Sequence, residues 1–473
     1  MDMEKVPYKD VLADRYATAS IVNLWGYKAR ICLERELWLS VLRAQKELGL
    51  QIPEEAIPAY ECQIYNVDLE SIKKRELETR QDVVARVAEF NHLAGFELVG
   101  IGLTSRDTTD NIEQLQIKRS LEHARNRTVA VLGRFARKAV EFGGLPICGR
   151  SHNVPGQIIS FGKRFSNFAE ELLFAFERLE HLINTYPLRG IKGAMGTQQD
   201  MVDLLGSSEK ALQLENLVRE YLGFGKVFDS VGQVYPRSLD YAVLSSLTQL
   251  ASAFGNFAKM IRLMAGNELL HEGFKKGQTG SFAQPHKMNS RTSERISGLL
   301  IVLSGYEHMA KGLCGDQWYE GDVSCSVVRR VALPGGFFAY DGMCESVLTV
   351  LDEMEIFPKM IDQELKRFLP FLSTTRLLMA ICKKGYGRDT AHEIIKKHAV
   401  LAIKEMRQGK ENSFLGRLMA DGNFPLASVE IESLVKNPEH GASLEQIAKI
   451  CVRVVAVIER YPEAVKYNPQ PIL

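Results

Sequence analysis

The chain has 473 residues, with 59 Lys and Arg against 58 Asp and Glu, 45% hydrophobic and 25% charged residues. That length exceeds one compact core and predicts two or three domains. The near-zero net charge excludes a whole-protein basic field for nucleic acid, and the 37 Gly and 16 Pro exclude a fibrous or low-complexity chain.

The opening MDMEKVPYKDVLADRY is polar and charged, without the apolar segment of a signal peptide, and no later run approaches membrane-spanning length. The expectation is a cytoplasmic protein with no membrane partner. The eight cysteines are scattered, with no CxxC and no zinc-type spacing, as suits buried thiols in a reducing compartment.

Helical periodicity then dominates. A loose apolar stripe runs through Leu115, Leu121, Ala124, Thr128, Val131 and Phe135. Phe161, Phe165, Phe168, Leu172, Phe176, Leu179 and Ile183 advance in steps of three and four, and Leu247, Leu250, Phe254, Phe257, Ile261 and Met264 repeat the pattern. Residues 287–312 and 336–352 also read as helix, and convincing strand alternation is scarce. Long helices at this spacing pack as near-parallel bundles, so the predicted fold class is mostly α. Breaks fall at 95–107, where Asp107, Thr108 or Thr109 could cap a new helix, at YPLRGIKGAMGTQQD, and at EGFKKGQTGSFAQPHKMNS. Past Phe357-Pro358 the helices resume as a smaller C-terminal unit.

Several motif classes are missing. There is no GxGxxG after a strand and no GxxxxGK[ST], which leaves Rossmann or Walker nucleotide binding unsupported. His392-Glu393 followed by His398 has the wrong spacing for a zincin, and Lys73-Lys74-Arg75 is balanced by Glu70, Glu76 and Glu78. No metal or cofactor is implied.

The most unusual segment is Gly280-Ser281-Phe282-Ala283-Gln284-Pro285-His286-Lys287-Met288-Asn289-Ser290. A plain surface loop would explain it. Yet it sets Ser, His, Lys and Asn around one Pro, and bounding glycines would let it close, expel water and offer donors to developing negative charge.

That segment resembles the mobile signature loop of the aspartase/fumarase superfamily, GSSxMPxKxNP. Gly280, Ser281, Pro285, Lys287 and Asn289 match, while Phe282, Gln284 and Ser290 depart. The resemblance continues in order over most of the chain and is closest to the adenylosuccinate lyase branch. Arg15-Tyr16 resembles that branch's N-terminal phosphate-binding pair, and Thr104-Ser105 its carboxylate-binding pair. Gly149-Arg150-Ser151-His152 resembles the GRTH segment with the catalytic histidine, Gln198 the substrate-binding glutamine, and Ser326 with Arg330 the second phosphate contact.

The resemblance implies a three-domain fold with a central long-helix bundle, divided here as 1–105, 106–358 with the signature loop at 273–290, and 359–473. It also implies a homotetramer with sites shared between chains, and elimination of fumarate from an N-succinyl nucleotide in purine synthesis. In that chemistry a weakly acidic C–H proton beside a carboxylate is removed and nitrogen leaves the neighbouring carbon. By resemblance Ser281 is the general base, acting as an alkoxide near Lys287, and His152 the general acid. Thr104, Ser105, Lys287 and Asn289 suit the charge that develops on the carboxylate. Arg15, Tyr16, Ser326 and Arg330 suit a 5′-phosphate. Taken alone, His152 is only a histidine beside a helix.

Three departures bear on the substrate. Gln81 precedes Asp82 where the branch has a His-Asp pair, with Asp82 kept as a substrate-binding residue; Gly100 stands where the branch has another histidine; Phe282 replaces the second loop serine. Gln81 can donate a hydrogen bond but cannot carry a proton, and Gly100 can do neither. Two other readings remain at this point: a divergent lyase releasing fumarate from another N-succinyl compound, and a catalytically silent helical oligomer.

Overall fold

The computed structural model describes residues 9–436 and 439–471. Six helices come first: α1 (Val11–Arg15), α2 (Ala19–Leu24), α3 (Tyr27–Glu47), α4 (Ala56–Gln63), α5 (Leu69–Thr79) and α6 (Asp82–Ala94). The centre holds α7 (Ser105–Glu141), a hairpin of β1 (Pro146–Ser151) and β2 (Val154–Ser160), α8 (Phe161–Thr185), β3 (Pro187–Leu188), α9 (Gln199–Leu205), α10 (Ser208–Tyr221), β4 (Lys226–Val227) and α11 (Ser238–Gly266). There follow β5 (Leu270–His271), α12 (Arg291–Lys311), α13 (Ser324–Glu353) and β6 (Glu355–Ile356). The chain closes with α14 (Pro358–Leu372), α15 (Thr374–Lys383), α16 (Arg388–Met406), α17 (Phe414–Ala420), α18 (Ser428–Lys436) and α19 (Ser443–Arg460).

The three stripes read from the sequence lie in α7, α8 and α11, and nearly all their members are buried in one core with Phe337, Tyr340 and Leu348 of α13. Phe135, Phe165, Phe168 and Phe257 interlock there, with ring centroids 5.4–6.5 Å apart. Helix α13 begins twelve residues before the expected position and runs straight through Pro334, Gly335 and Gly336. The glycines are needed for packing rather than for a break. A Cβ on Gly335 would lie 2.5 Å from the Tyr306 ring, and one on Gly336 2.3 Å from Leu244. Helix α12 starts at Arg291, because 287–290 belong to the preceding loop.

A second small core joins α15, α16, α17 and α18 through Leu377, Ile381, Ala391, Phe414, Leu418 and Ile431. Helix α19 instead returns to α7 and α8, burying Ile447, Ile450, Val454 and Val457 in the main core. The stretch after residue 358 therefore contains both an outlying cluster and a helix of the central bundle. Among the described residues no helix is long and apolar enough to cross a membrane.

Candidate active site

Helix α7 organises the candidate site residues by its length. Its 37 residues rise about 55 Å, which sets its two ends far apart.

At its N-terminus Thr104 is the N-cap in extended conformation, rather than any of residues 107–109. Asp107 completes a capping box: one carboxylate oxygen accepts from Thr104 N at 2.9 Å and from the Thr104 hydroxyl at 3.2 Å. The other accepts from Arg189 Nη1 at 2.5 Å, Lys192 N at 3.0 Å and Gly193 N at 3.1 Å. Gln198 ends the loop that Asp107 holds. It adopts φ +57°, and its Nε2 donates to Ile191 O at 2.8 Å, leaving the amide oxygen for another partner. The first-turn amides of α7 beside Thr104 and Ser105 favour an anion.

Thr104, Ser105, Gly100 and Gln81 line one open groove of about 920 Å³ running along α6. Gln81 is the N-cap of α6, its Oε1 accepting from Val84 N at 2.6 Å, so that oxygen is turned to backbone. Gly100 has φ +90°, a left-handed conformation that disfavours any side chain, and a Cβ there would meet Val87 at 3.3 Å. Asp82 does not line the groove. Its carboxylate bonds Arg86 at 3.1 Å; burial alone would raise that carboxyl, and Arg86 outweighs it, holding the group below its usual range.

Ser326 and Arg330 lie at this same end, where Arg106 donates to Asp322 O at 2.8 Å. The adjacent arginines of α13 divide their tasks. Arg329 is buried and donates to Asp240 at 2.8 Å, whereas Arg330 is exposed. Asp110 sits in the same buried network; burial would raise its carboxyl, but Arg237, Arg329 and Arg106 around it hold it low.

The far end carries the other two segments. His152 is not beside a helix, as the sequence suggested, but in the turn of the β1–β2 hairpin. His152 and Asn153 both have left-handed backbone, φ 52° and 60°, which fits a two-residue turn between twisted strands. Arg150 holds the turn, donating to Asn153 O at 2.9 Å and to Glu364 of α14 at 2.5 Å. The imidazole is exposed, and no side-chain hydrogen bond engages it among the described residues. The 272–290 loop is closed on itself: Asn289 Nδ2 donates to Gly280 O at 3.0 Å, and Ser281 Oγ accepts from Gln284 N at 3.3 Å. Glu272 anchors its exit by accepting from Thr292 N at 2.7 Å and Ser293 N at 2.8 Å. Lys287 and the Phe282 ring stand in solvent.

Arg15 and Tyr16 line a pocket of about 860 Å³ with Lys275, Arg291 and Arg295. Tyr16 packs against α13 at Gly342, where a Cβ would come within 2.8 Å of the Tyr16 Cβ. The Arg295 guanidinium lies 5.5 Å from the Tyr16 ring centre, and burial lowers its pKa. Sequence reading missed Arg291 and Arg295, whose signal is an i, i+4 pair of arginines opening the helix after the signature loop. Gly342 lies twelve residues beyond Arg330 on α13, about 18 Å. A single chain thus gathers Thr104, Ser105, Gln198, Ser326 and Arg330 at one end, and His152 and Ser281 at the other.

Comparison with known proteins gives a concordant result. The family described as "Lyase" matches residues 42–305, and "Adenylosuccinate lyase C-terminus" matches 370–451. Adenylosuccinate lyase of Saccharomyces cerevisiae is 32% identical over 91% of this chain and 90% of its own length. That of Pyrococcus horikoshii is 29% identical over 94% and 98%. The crystal structure of 3-carboxy-cis,cis-muconate lactonizing enzyme from Pseudomonas putida superposes with a TM-score of 0.80 at 17% identity, covering 95% of this chain and 100% of that one. The sequence matches, together with this mostly helical fold, establish that the chain belongs to the adenylosuccinate lyase family of the aspartase/fumarase superfamily.

Proposed function

We propose that this chain is a carbon–nitrogen lyase that releases fumarate from adenylosuccinate, and from the succinylated imidazole-carboxamide ribotide, within a homotetramer. The observation that carries the reading is the division of complementary chemistry between the two ends of a helix about 55 Å long. Carboxylate-binding hydroxyls stand at one end, and the proton-transfer residues at the other. Neighbouring chains packed antiparallel bring these ends together, so each site takes residues from several chains. An uncovered apolar band on α12 and α13, with Ile301, Val323, Val327 and Val331 all at least half exposed, supports such packing.

In the assembled site Thr104 and Ser105 hold the succinyl carboxylate against the amides of α7. Ser281, as alkoxide beside Lys287, takes the proton from the carbon next to that carboxylate. The electron pair left behind forms the new C=C bond as the C–N bond breaks, and His152 gives its proton to the departing nitrogen. Asn289 and Gln198 complete the hydrogen bonding around the substrate. Arg15, Tyr16 and Arg295 of one chain, with Ser326 and Arg330 of another, grip the 5′-phosphate. The absence of disulfides among the eight cysteines supports a reducing, cytoplasmic setting.

A second reading, elimination from another N-succinyl compound, is favoured by Gln81 and Gly100, which leave the groove wall without the two imidazoles of the family. Loss of the ultraviolet absorbance of adenylosuccinate on mixing with purified protein supports the first reading. An unchanged spectrum, with fumarate released from another succinyl amine, would transfer support to the second.

A further inference from the structure

Beneath the His152 hairpin lies a separate cavity of about 320 Å³, walled by β1, α8, α11 and α14. Its lining carries three cations, Arg150, Arg164 and Lys259, against one carboxylate, Glu364, an excess of two positive charges. Glu364 is already engaged by Arg150 at 2.5 Å. The hydrogen bonds of Arg164 go to neutral partners, Nη2 donating to Cys148 O at 2.8 Å and Nη1 facing the Met264 sulfur at 3.1 Å, and Glu364, shared with Arg150, acts on it only through space. Lys259 makes no ion pair among the described residues. Burial, with Glu364 nearby, pushes the Cys148 thiol up to about 12, so it gives Arg164 no negative charge. A guanidinium so largely removed from water favours an anionic partner.

The remaining wall is mostly apolar, with Phe168, Met260 and Leu263 facing the same space beside the amides of Asn153, Asn256 and Asn267. The volume lies at the small end of ligand pockets, as suits a small molecule. We propose that this cavity binds a small organic dicarboxylate, with Arg164 and Lys259 as its anion-holding groups. Two carboxylates match the two uncompensated charges, and a short hydrocarbon body meets the apolar wall, which inorganic phosphate cannot do.

Occupancy has a route to the catalytic turn. Arg150, which lines the cavity, also donates to the carbonyl of Asn153, the residue after His152. A dicarboxylate drawing on Arg150 therefore acts on the left-handed pair that carries the imidazole. This consequence rests on the proposed role of His152, whereas binding does not. Fumarate, the product of the proposed reaction, belongs to the same chemical class, which makes product feedback on the hairpin the expected outcome.

The test is calorimetric titration of the full chain with succinate, on a Thr104→Val/Ser105→Ala background that removes the carboxylate subsite of the catalytic groove. Succinate is expected to bind there, and Lys259→Glu, an exposed change that keeps the fold, to weaken it at least tenfold. Arg164→Gln should do the same. Saturating inorganic phosphate is expected not to displace succinate, and hydrogen exchange at residues 150–154 to slow with succinate. Unchanged affinity in Lys259→Glu, displacement of succinate by inorganic phosphate, or no succinate binding would each overturn the site; unaltered exchange would overturn the link to His152. Adenylosuccinate turnover by the wild type is a separate assay, so failure of the site and failure of the proposed reaction are told apart.

Discussion

Arg189 donates to Asp107 at 2.5 Å, both side chains are fully buried, and the same carboxylate caps the helix that begins at Ser105. One side chain thereby fixes Thr104 and Ser105 relative to the loop that ends at Gln198. Removing it leaves a buried guanidinium uncompensated. Asp107→Ala is expected to lower stability by about 3–5 kcal/mol. Asp107→Asn, which keeps one acceptor, should lose less stability but raise KM through the displaced hydroxyls. Urea denaturation and steady-state kinetics of both variants check this, and an unchanged KM in a folded Asp107→Asn would refute the positioning role.

Ser281 and His152 lie on exposed turns with few contacts, so their removal should affect chemistry and not folding. Ser281→Ala and His152→Ala are each expected to lower kcat by about 10²–10⁴-fold. The melting temperature should stay within a degree or so of wild type. Near-normal turnover in either variant removes that residue's assigned role.

Gly100 bears on why the family histidine cannot simply be restored. Its φ of +90° places any side chain in left-handed backbone and close to Val87. Gly100→His is therefore expected to destabilise the protein by about 1–2 kcal/mol. Equal or greater stability on denaturation would show that the loop accepts a side chain after all.

Asp341 links α13 to α7 and to the segment before α2, accepting from His123 Nε2 at 2.6 Å and Thr18 N at 2.7 Å, with Arg127 3.5 Å away. Burial alone would raise its carboxyl, and the His123 bond, with these other partners, holds it below the ordinary range. A depressed folded-state pKa means that the contribution is fully present above the unfolded value, about 3.9, and is lost as pH falls through the folded one. The stability gap between wild type and Asp341→Asn should therefore be wide at pH 6 and shrink toward pH 3. A gap that widens as pH falls would reverse the assignment.

Much of this was legible because the long helices write their cores as three- and four-residue steps, as Phe161 to Ile183 do in α8. What the sequence hid was tertiary. The hairpin at 146–160 is short, buries three successive residues at 147–149 and contains Gly149, Pro155 and Gly156, so no strand alternation marks it. Pro334, Gly335 and Gly336 look like a helix break, yet Tyr306 and Leu244 occupy the space the glycines leave. Asp107 looks like an N-cap, whereas its second oxygen serves a loop more than eighty residues away. Arg295 gains meaning only when α12 sets it over Tyr16. The order of site motifs was readable, but their separation to opposite bundle ends required the fold.

That separation is tested most directly by mixing two silent chains. A chain with Ser281→Ala and a chain with Thr104→Val/Ser105→Ala are each inactive alone if both ends serve catalysis. Dissociated and reassembled together, they form hybrids in which intact ends from different chains meet, and turnover of adenylosuccinate should return to a substantial fraction of wild type. Hybrids of the expected mass that stay as inactive as their parents would contradict a site assembled between chains.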